Sequence, residues 1–462
     1  MDAGAGASVS SAPPLRAPAS APDSAAAESA RYKAGARIMA LGIASTGVLT
    51  FIYFSLASHV LGAGSASRLD VLWSVMFVVI SIIYRPIEQL LSRSIAEHRA
   101  LERRPEGLRH ALAIQAAFAL AFLAAALALE GVIRVHLLGG SQTLYLILVG
   151  GTLAYAASYF ARGYLAGHER YALYGALVFI ESFSRLCFAL AVAAGLAQGT
   201  DAVALGIAAA PALSLLVLPP ALARAEGAAR SPKGAAAPRR QAPERALTLR
   251  SGARFAGAVS VIMASEQALL NGAIVTVAIT SRSAALPGIV FNVFLIARAP
   301  LQLFQAIQTT LLPHLTRLAV RRSRRAFAGA VLLTVRLIGS LSALLALLLA
   351  LLGPALLDHA LFGQRFSYNR YGLALVAVGL GMHLIAGTLN QAALARSQAR
   401  AAASCWAVSA ALFIAWMLAP ILPEELLRAE VGYTTAASAL VLMLGLLYRR
   451  GGAPAPASAS TS

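Results

Sequence analysis

The stretch ARAEGAARSPKGAAAPRRQAPERALTLR, residues 223 to 250, divides this chain. It is basic, rich in Pro, Gly and Ala, and has no long apolar run, so it reads as a flexible linker. Working outward, six mostly apolar windows precede it, near 34–58, 69–91, 108–129, 142–164, 171–197 and 201–223. Six more follow, near 252–279, 286–313, 326–352, 371–395, 402–419 and 429–447. Each window approaches or exceeds the roughly 20 residues a helix needs to cross a ~30 Å hydrocarbon core.

Composition agrees with that count. The chain is 59% apolar and 12% charged with a mean hydropathy of +0.72, against about 45–50% and roughly 25% for soluble domains. An all-α integral membrane protein of about twelve transmembrane helices is expected. Residues 1–32 and 451–462 are Ala, Ser and Pro rich and should be disordered. The start has no basic, apolar and cleavage-site succession of a signal peptide, so targeting falls to the first span. The expected organisation is a disordered segment 1–32, a first lobe of six helices over 33–223, a basic linker 224–250, a second lobe over 251–450 and a tail 451–462.

The cations set a direction. Of the 38 Lys and Arg, 28 fall on the side of the linker and the two termini, 6 on the opposite side and 4 inside the spans. Basic loops stay cytoplasmic, which predicts an N-in, C-in topology. The net charge of +19 then reflects loops facing anionic headgroups, with no nucleic-acid motif to explain it otherwise. Two six-helix halves that start and end on the same side form a parallel repeat, with substrate between them. A basic loop follows the second span of each half, SRSIAEHRALERR and then TRLAVRRSRR. At residue level the repeat is weak, since two registers about ten residues apart compete. Cys187 and Cys405 lie inside apolar runs and read as small buried hydrophobes.

Polar residues inside spans are costly, at roughly 2.5–3.5 kcal/mol for a mid-helix Arg or Asp, and usually face a cavity or a partner. On the second span Ser74, Ser81, Arg85, Glu88 and Ser92 share one stripe, and Pro86 removes a helix donor beside it. Arg85 either lines a cavity or snorkels to the near interface while paired with Glu88. On the eighth span Arg298, Gln302, Gln305 and Thr309 share a stripe interrupted by Pro300 and Pro313, with Arg298 too deep to snorkel. The seventh span adds Ser260, Gln267 and Asn271, with Glu266 beside them; the ninth adds Arg336. On the fourth, Tyr155, Ser158, Tyr159 and Arg162 stack, which suits either sugar contact or interfacial anchoring. Glu181 and Arg185 are spaced for an ion pair. His383 and Asn390 share a face of the tenth span, and His383 is a candidate for proton coupling. Four intramembrane Arg with many amides suit an anionic, sugar- or phosphate-bearing substrate and would repel a cationic drug. An enzyme would need an acid/base or nucleophile constellation, and the longest outside loop offers only Asp358 and His359.

On YRPIEQLLSRSIAEHRA (84–100) and ARAPLQLFQAIQTTLLPHLTRLA (297–319), within the six-plus-six layout over roughly 33–450, the sequence resembles the multidrug/oligosaccharidyl-lipid/polysaccharide exporter superfamily. More narrowly it is similar to the actinobacterial polysaccharide-biosynthesis branch akin to O-antigen repeat-unit flippases. The resemblance implies a V-shaped pair of lobes in the bacterial cytoplasmic membrane that rock to move a polyprenyl-pyrophosphate-linked saccharide from the inner to the outer leaflet. It is not expected to be an enzyme and needs no cofactor or metal. Arg85, Glu88 and Arg298 would line the cavity, with Arg336 also near the diphosphate and Gln302, Gln305, Asn271 and Tyr155 at the sugars. Glu266, Glu88 or His383 would couple an ion gradient, and Pro86 and Pro300 would act as hinges. A polysaccharide polymerase or glycosyltransferases would be its partners. The alternatives are a cation-coupled drug exporter of the same fold and a membrane glycosyltransferase or polymerase.

Overall fold

The computed structural model describes residues 21–100, 107–216, 249–297, 324–357 and 368–450, with single positions 311, 315 and 318. Every regular element among them is helical. The first six long helices are α1 (Ala21–Val60), α2 (Ala63–Ala100), α3 (Gly107–Ala128), α4 (Gln142–Gly167), α5 (Tyr171–Ala193) and α6 (Gly199–Leu215). The remaining six are α7 (Leu249–Thr280), α8 (Leu286–Ala297), α9 (Arg324–Ala355), α10 (Arg370–Ala395), α11 (Ala399–Leu418) and α12 (Glu425–Arg450). A short helical segment over Glu130–Leu137 continues α3 after a 67° bend.

Nine of the described helices are long and apolar enough to cross a membrane, ten if α3 and its bent continuation count as one span. The chain is a multi-pass membrane protein. The helices α6 and α8, 17 and 12 residues long, run toward segments outside the described residues. Most of the 224–250 linker and the whole 451–462 tail also lie outside them. Within the segment 1–32, the described residues 21–32 form part of the helix α1. That stretch, APDSAAAESARY, is dominated by alanine, the strongest helix former, and low hydrophobicity alone does not prevent a helix that continues a long one.

Packing within each set of helices departs from the order of the chain. The helix α1 lies against α5, α2 against α4, and α6 against both α4 and α5; α9 packs on α10, α10 on α12, and α11 on α7 and α12. The helix α2 also crosses to α7 and α8. Lipid tails give little hydrophobic drive between helices, so close approach and interhelical hydrogen bonds must hold them. Both are present. A Cβ on Gly42 of α1 would lie 2.5 Å from the Gly175 carbonyl oxygen of α5, and one on Gly163 of α4 would lie 2.8 Å from the Glu88 carbonyl oxygen of α2. Tyr53 donates to the Val203 carbonyl at 2.9 Å, Ser409 to that of Ala436 at 2.8 Å, and Thr434 to that of Leu375 at 2.9 Å.

The two sets of helices meet where α1 ends and α2 and α8 begin. Phe54 packs against Phe291 with centroids 4.7 Å apart, and the Gly288 amide donates to Ser67 Oγ at 3.0 Å. At the periphery, Leu333, Leu337, Leu344, Leu348 and Leu351 of α9 form an exposed apolar stripe, as a lipid-facing helix requires.

Candidate functional site

The stripe expected on α2 exists. Ser74 and Ser81 are fully buried, and Arg85, Glu88 and Ser92 are half-buried below them. The helix continues through Pro86. The Tyr174 hydroxyl, from α5, donates to Glu88 Oε1 at 2.7 Å. Arg85 lies within electrostatic reach of Tyr159, Glu266, Glu88 and Tyr174. Among the described residues no carboxylate oxygen comes within 4.0 Å of it.

Glu266, on α7, carries the chain onward. Its side chain is 23% exposed, and its Oε1 lies 3.7 Å from His383 Nε2 on α10. That distance is too long for a hydrogen bond and becomes an ion pair when the imidazole is protonated. The imidazole is buried against Trp406, at 5.4 Å, and Tyr433, at 6.2 Å. One turn along α7, Asn271 is buried and donates to Gln267 Oε1 at 3.0 Å. The structure therefore brings Arg85, Glu88, Glu266 and His383 into one polar sequence from α2 across α7 to α10.

Tyr155, Ser158, Tyr159 and Arg162 all point into the bundle, none being more than 8% exposed, so the aromatic pair is not an interfacial anchor. Arg162 Nη2 lies 2.7 Å from Glu181 Oε2, which also accepts from Ser158 Oγ at 2.9 Å. The Arg162 guanidinium sits 4.5 Å over the Tyr159 ring. This corrects the expected Glu181–Arg185 pair: Glu181 turns to α4, and Arg185 lies 4.4 Å over the Trp73 ring of α2. Spacing along one helix offers Arg185 to Glu181 and says nothing of the neighbouring α4, so the sequence hid this exchange.

Two further expectations land elsewhere. Arg336 is exposed on α9 beside Leu333 and Leu337, on the apolar outer stripe and away from the chain of polar residues. Cys187 is exposed, not buried, and Cys405 is half-buried; both are free. Arg298, Pro300, Gln302 and Gln305 lie outside the described residues, as do Asp358 and His359. The sequence reading does not include Asp70, 2% exposed, whose Oδ2 lies near the Ser67–Gly288 contact and has no hydrogen-bond partner among the described residues. Its position one turn before the Ser74 stripe was the available signal.

Among solved structures, three similar ones define the fold. An inward-facing multidrug resistance MATE family transporter of the MOP superfamily aligns with TM-score 0.65 at 12% identity, over 91% of this chain and 100% of its own. A MOP superfamily transporter from Pyrococcus furiosus, described as having a binding pocket of reverse polarity that suggests a different function, aligns with TM-score 0.62 at 12% identity over 91% and 95%. A MATE transporter from Vibrio cholerae aligns with TM-score 0.60 at 14% identity over 93% and 98%. The chain thus has a MATE-like fold. No family model matches its sequence, and no curated protein does.

Proposed function

We propose that the protein is an alternating-access flippase that moves a polyprenyl-(pyro)phosphate-linked oligosaccharide from the inner to the outer leaflet of the bacterial cytoplasmic membrane. The observation that carries this reading is Arg85: a permanently charged guanidinium where α2 meets α7, with no carboxylate of a described residue within 4.0 Å. Arg is matched to phosphate and cannot be neutralised by losing its proton.

In this reading α1–α6 and α7–α12 are two lobes with both termini in the cytoplasm, and twelve spans are completed by α6, α8 and the segments beyond them. Arg298 joins Arg85 at the diphosphate, while Gln302, Gln305 and Asn271 meet sugars. Pro86 and Pro300 bend as the lobes rock. The Ser67–Gly288 and Phe54–Phe291 contacts close the periplasmic end, so substrate enters from the cytoplasmic leaflet. Glu266, Glu88 and His383 couple an ion gradient, and a polymerase or glycosyltransferase docks at the basic loops.

A cation-coupled multidrug exporter of the same fold is the second reading, favoured by one observation: Glu266 is half-buried beside His383 and keeps an acid facing the junction. Reconstitution in liposomes with a labelled polyprenyl-pyrophosphate saccharide separates the two. Protein-dependent arrival of the label at the outer leaflet, lost in Arg85→Ala and Arg298→Ala, supports the flippase. Absence of movement across several glycans, with proton-linked efflux of a small organic cation, overturns it.

A further inference from the structure

Arg185 is 2% exposed in the middle of α5, and its Nε and Nη1 have no hydrogen-bond partner among the described residues. The acid one turn before it, Glu181, is already held by Arg162 and Ser158, and no described carboxylate oxygen lies within 4.0 Å of the guanidinium. Trp73 closes one face of it at 4.4 Å. Tyr53 and Tyr155 lie within its electrostatic reach. The Tyr53 hydroxyl spends its proton on the Val203 carbonyl, whereas the buried Tyr155 hydroxyl has no hydrogen-bond partner among the described residues.

A buried guanidinium whose neighbouring acid, Glu181, is already engaged by Arg162 and Ser158 is costly to leave without a partner of its own. Lysine or histidine would escape by losing a proton, and arginine does not. Cation–π contact with Trp73 recovers only about 2 kcal/mol when desolvated. A water molecule would satisfy the orphaned N–H groups and leave the charge. We propose that Arg185 and Tyr155 form a binding site for a small monovalent anion of the halide class, enclosed by α1, α2, α4 and α5. The anion accepts from Arg185 Nε and Nη1 and from the Tyr155 hydroxyl, with Trp73 as the apolar lid. The site lies within the first six helices, away from the Arg85–Glu266 junction, and does not depend on which substrate the protein carries.

Thermal unfolding of the purified full chain tests this, with chloride exchanged for gluconate at constant ionic strength. The wild type is expected to show a saturable rise of several degrees in melting temperature with chloride. Arg185→Met should abolish the saturable part, and Tyr155→Phe should move its midpoint to roughly tenfold higher chloride, the loss of one hydrogen bond to a charged group. In a Trp406→Phe/Trp416→Phe background, iodide should alter Trp73 emission saturably, and Arg185→Met should remove that component. No chloride dependence in the wild type overturns the proposal, because water then fills the site. The same saturable dependence in Arg185→Met also overturns it. Should Arg185→Met fail to fold, an unchanged midpoint in Tyr155→Phe overturns it equally.

Discussion

Arg162 of α4 and Glu181 of α5 form an ion pair of 2.7 Å between side chains 10% and 5% exposed. The carboxylate is further held by Ser158 at 2.9 Å and the guanidinium by the Tyr159 ring. Such a pair ties two helices together only while both partners remain. Its energetic meaning lies in what happens when one is removed.

Glu181→Leu should therefore destabilise the protein by about 3–5 kcal/mol, because it strands a buried guanidinium. The double variant Arg162→Met/Glu181→Leu should recover most of that loss, since a well-packed apolar pair of similar volume often matches a buried ion pair. Thermal unfolding in detergent of both singles and the double closes the cycle. A double variant no more stable than Glu181→Leu would show that the pair supplies packing and not charge compensation.

Gly163 should be intolerant of any side chain. Its Cβ would lie 2.8 Å from the Glu88 carbonyl oxygen and 3.1 Å from the Glu88 Cα, both backbone atoms that cannot yield without parting α2 from α4. Gly163→Leu should abolish the monodisperse peak in size-exclusion chromatography. Gly150→Leu, where no atom of a described residue lies within 4 Å, should leave it intact.

Arg336→Leu should be neutral or stabilising and should leave transport unchanged, in contrast to Arg85→Ala. The side chain sits on the exposed leucine stripe of α9, where a mid-span cation costs roughly 2.5–3.5 kcal/mol on insertion scales. Melting temperature and liposome flipping, measured on the same preparation, check both halves of the statement. A loss of flipping without a loss of stability would return Arg336 to the cavity.

These cases also mark what a sequence of this kind carries. Hydropathy is a one-dimensional quantity, and the spans it delimits agree closely with the helices: 142–164 against Gln142–Gly167, and 371–395 against Arg370–Ala395. The α2 stripe was equally legible, because helical spacing fixes which residues share a face. Which helix that face meets is not periodic information. Hence spacing pairs Glu181 with Arg185 on its own helix, whereas it meets Arg162 on the next, and depth alone puts Arg336 in the cavity, whereas its azimuth on α9 decides its surroundings. Asp70 escaped notice because a lone acid near a span end looks solvated until α8 is seen to cover it.

The contact between Ser67 and Gly288 offers a direct handle on motion. The Gly288 amide donates to Ser67 Oγ at 3.0 Å, and a Cβ built on Gly288 falls 3.0 Å from the Ser67 Cβ, a little closer than the ~3.5–4.5 Å of a relaxed disulfide and correctable by a small shift. In a background with Cys187 and Cys405 replaced by Ala, the pair Ser67→Cys/Gly288→Cys should cross-link under mild oxidation. If this end must open for α1–α6 to move against α7–α12, the cross-link should stop transport and a reductant should restore it. Each single cysteine should remain active in both conditions. A cross-linked protein that still transports at the full rate would mean that the seal between α2 and α8 is permanent, and that substrate leaves by another route.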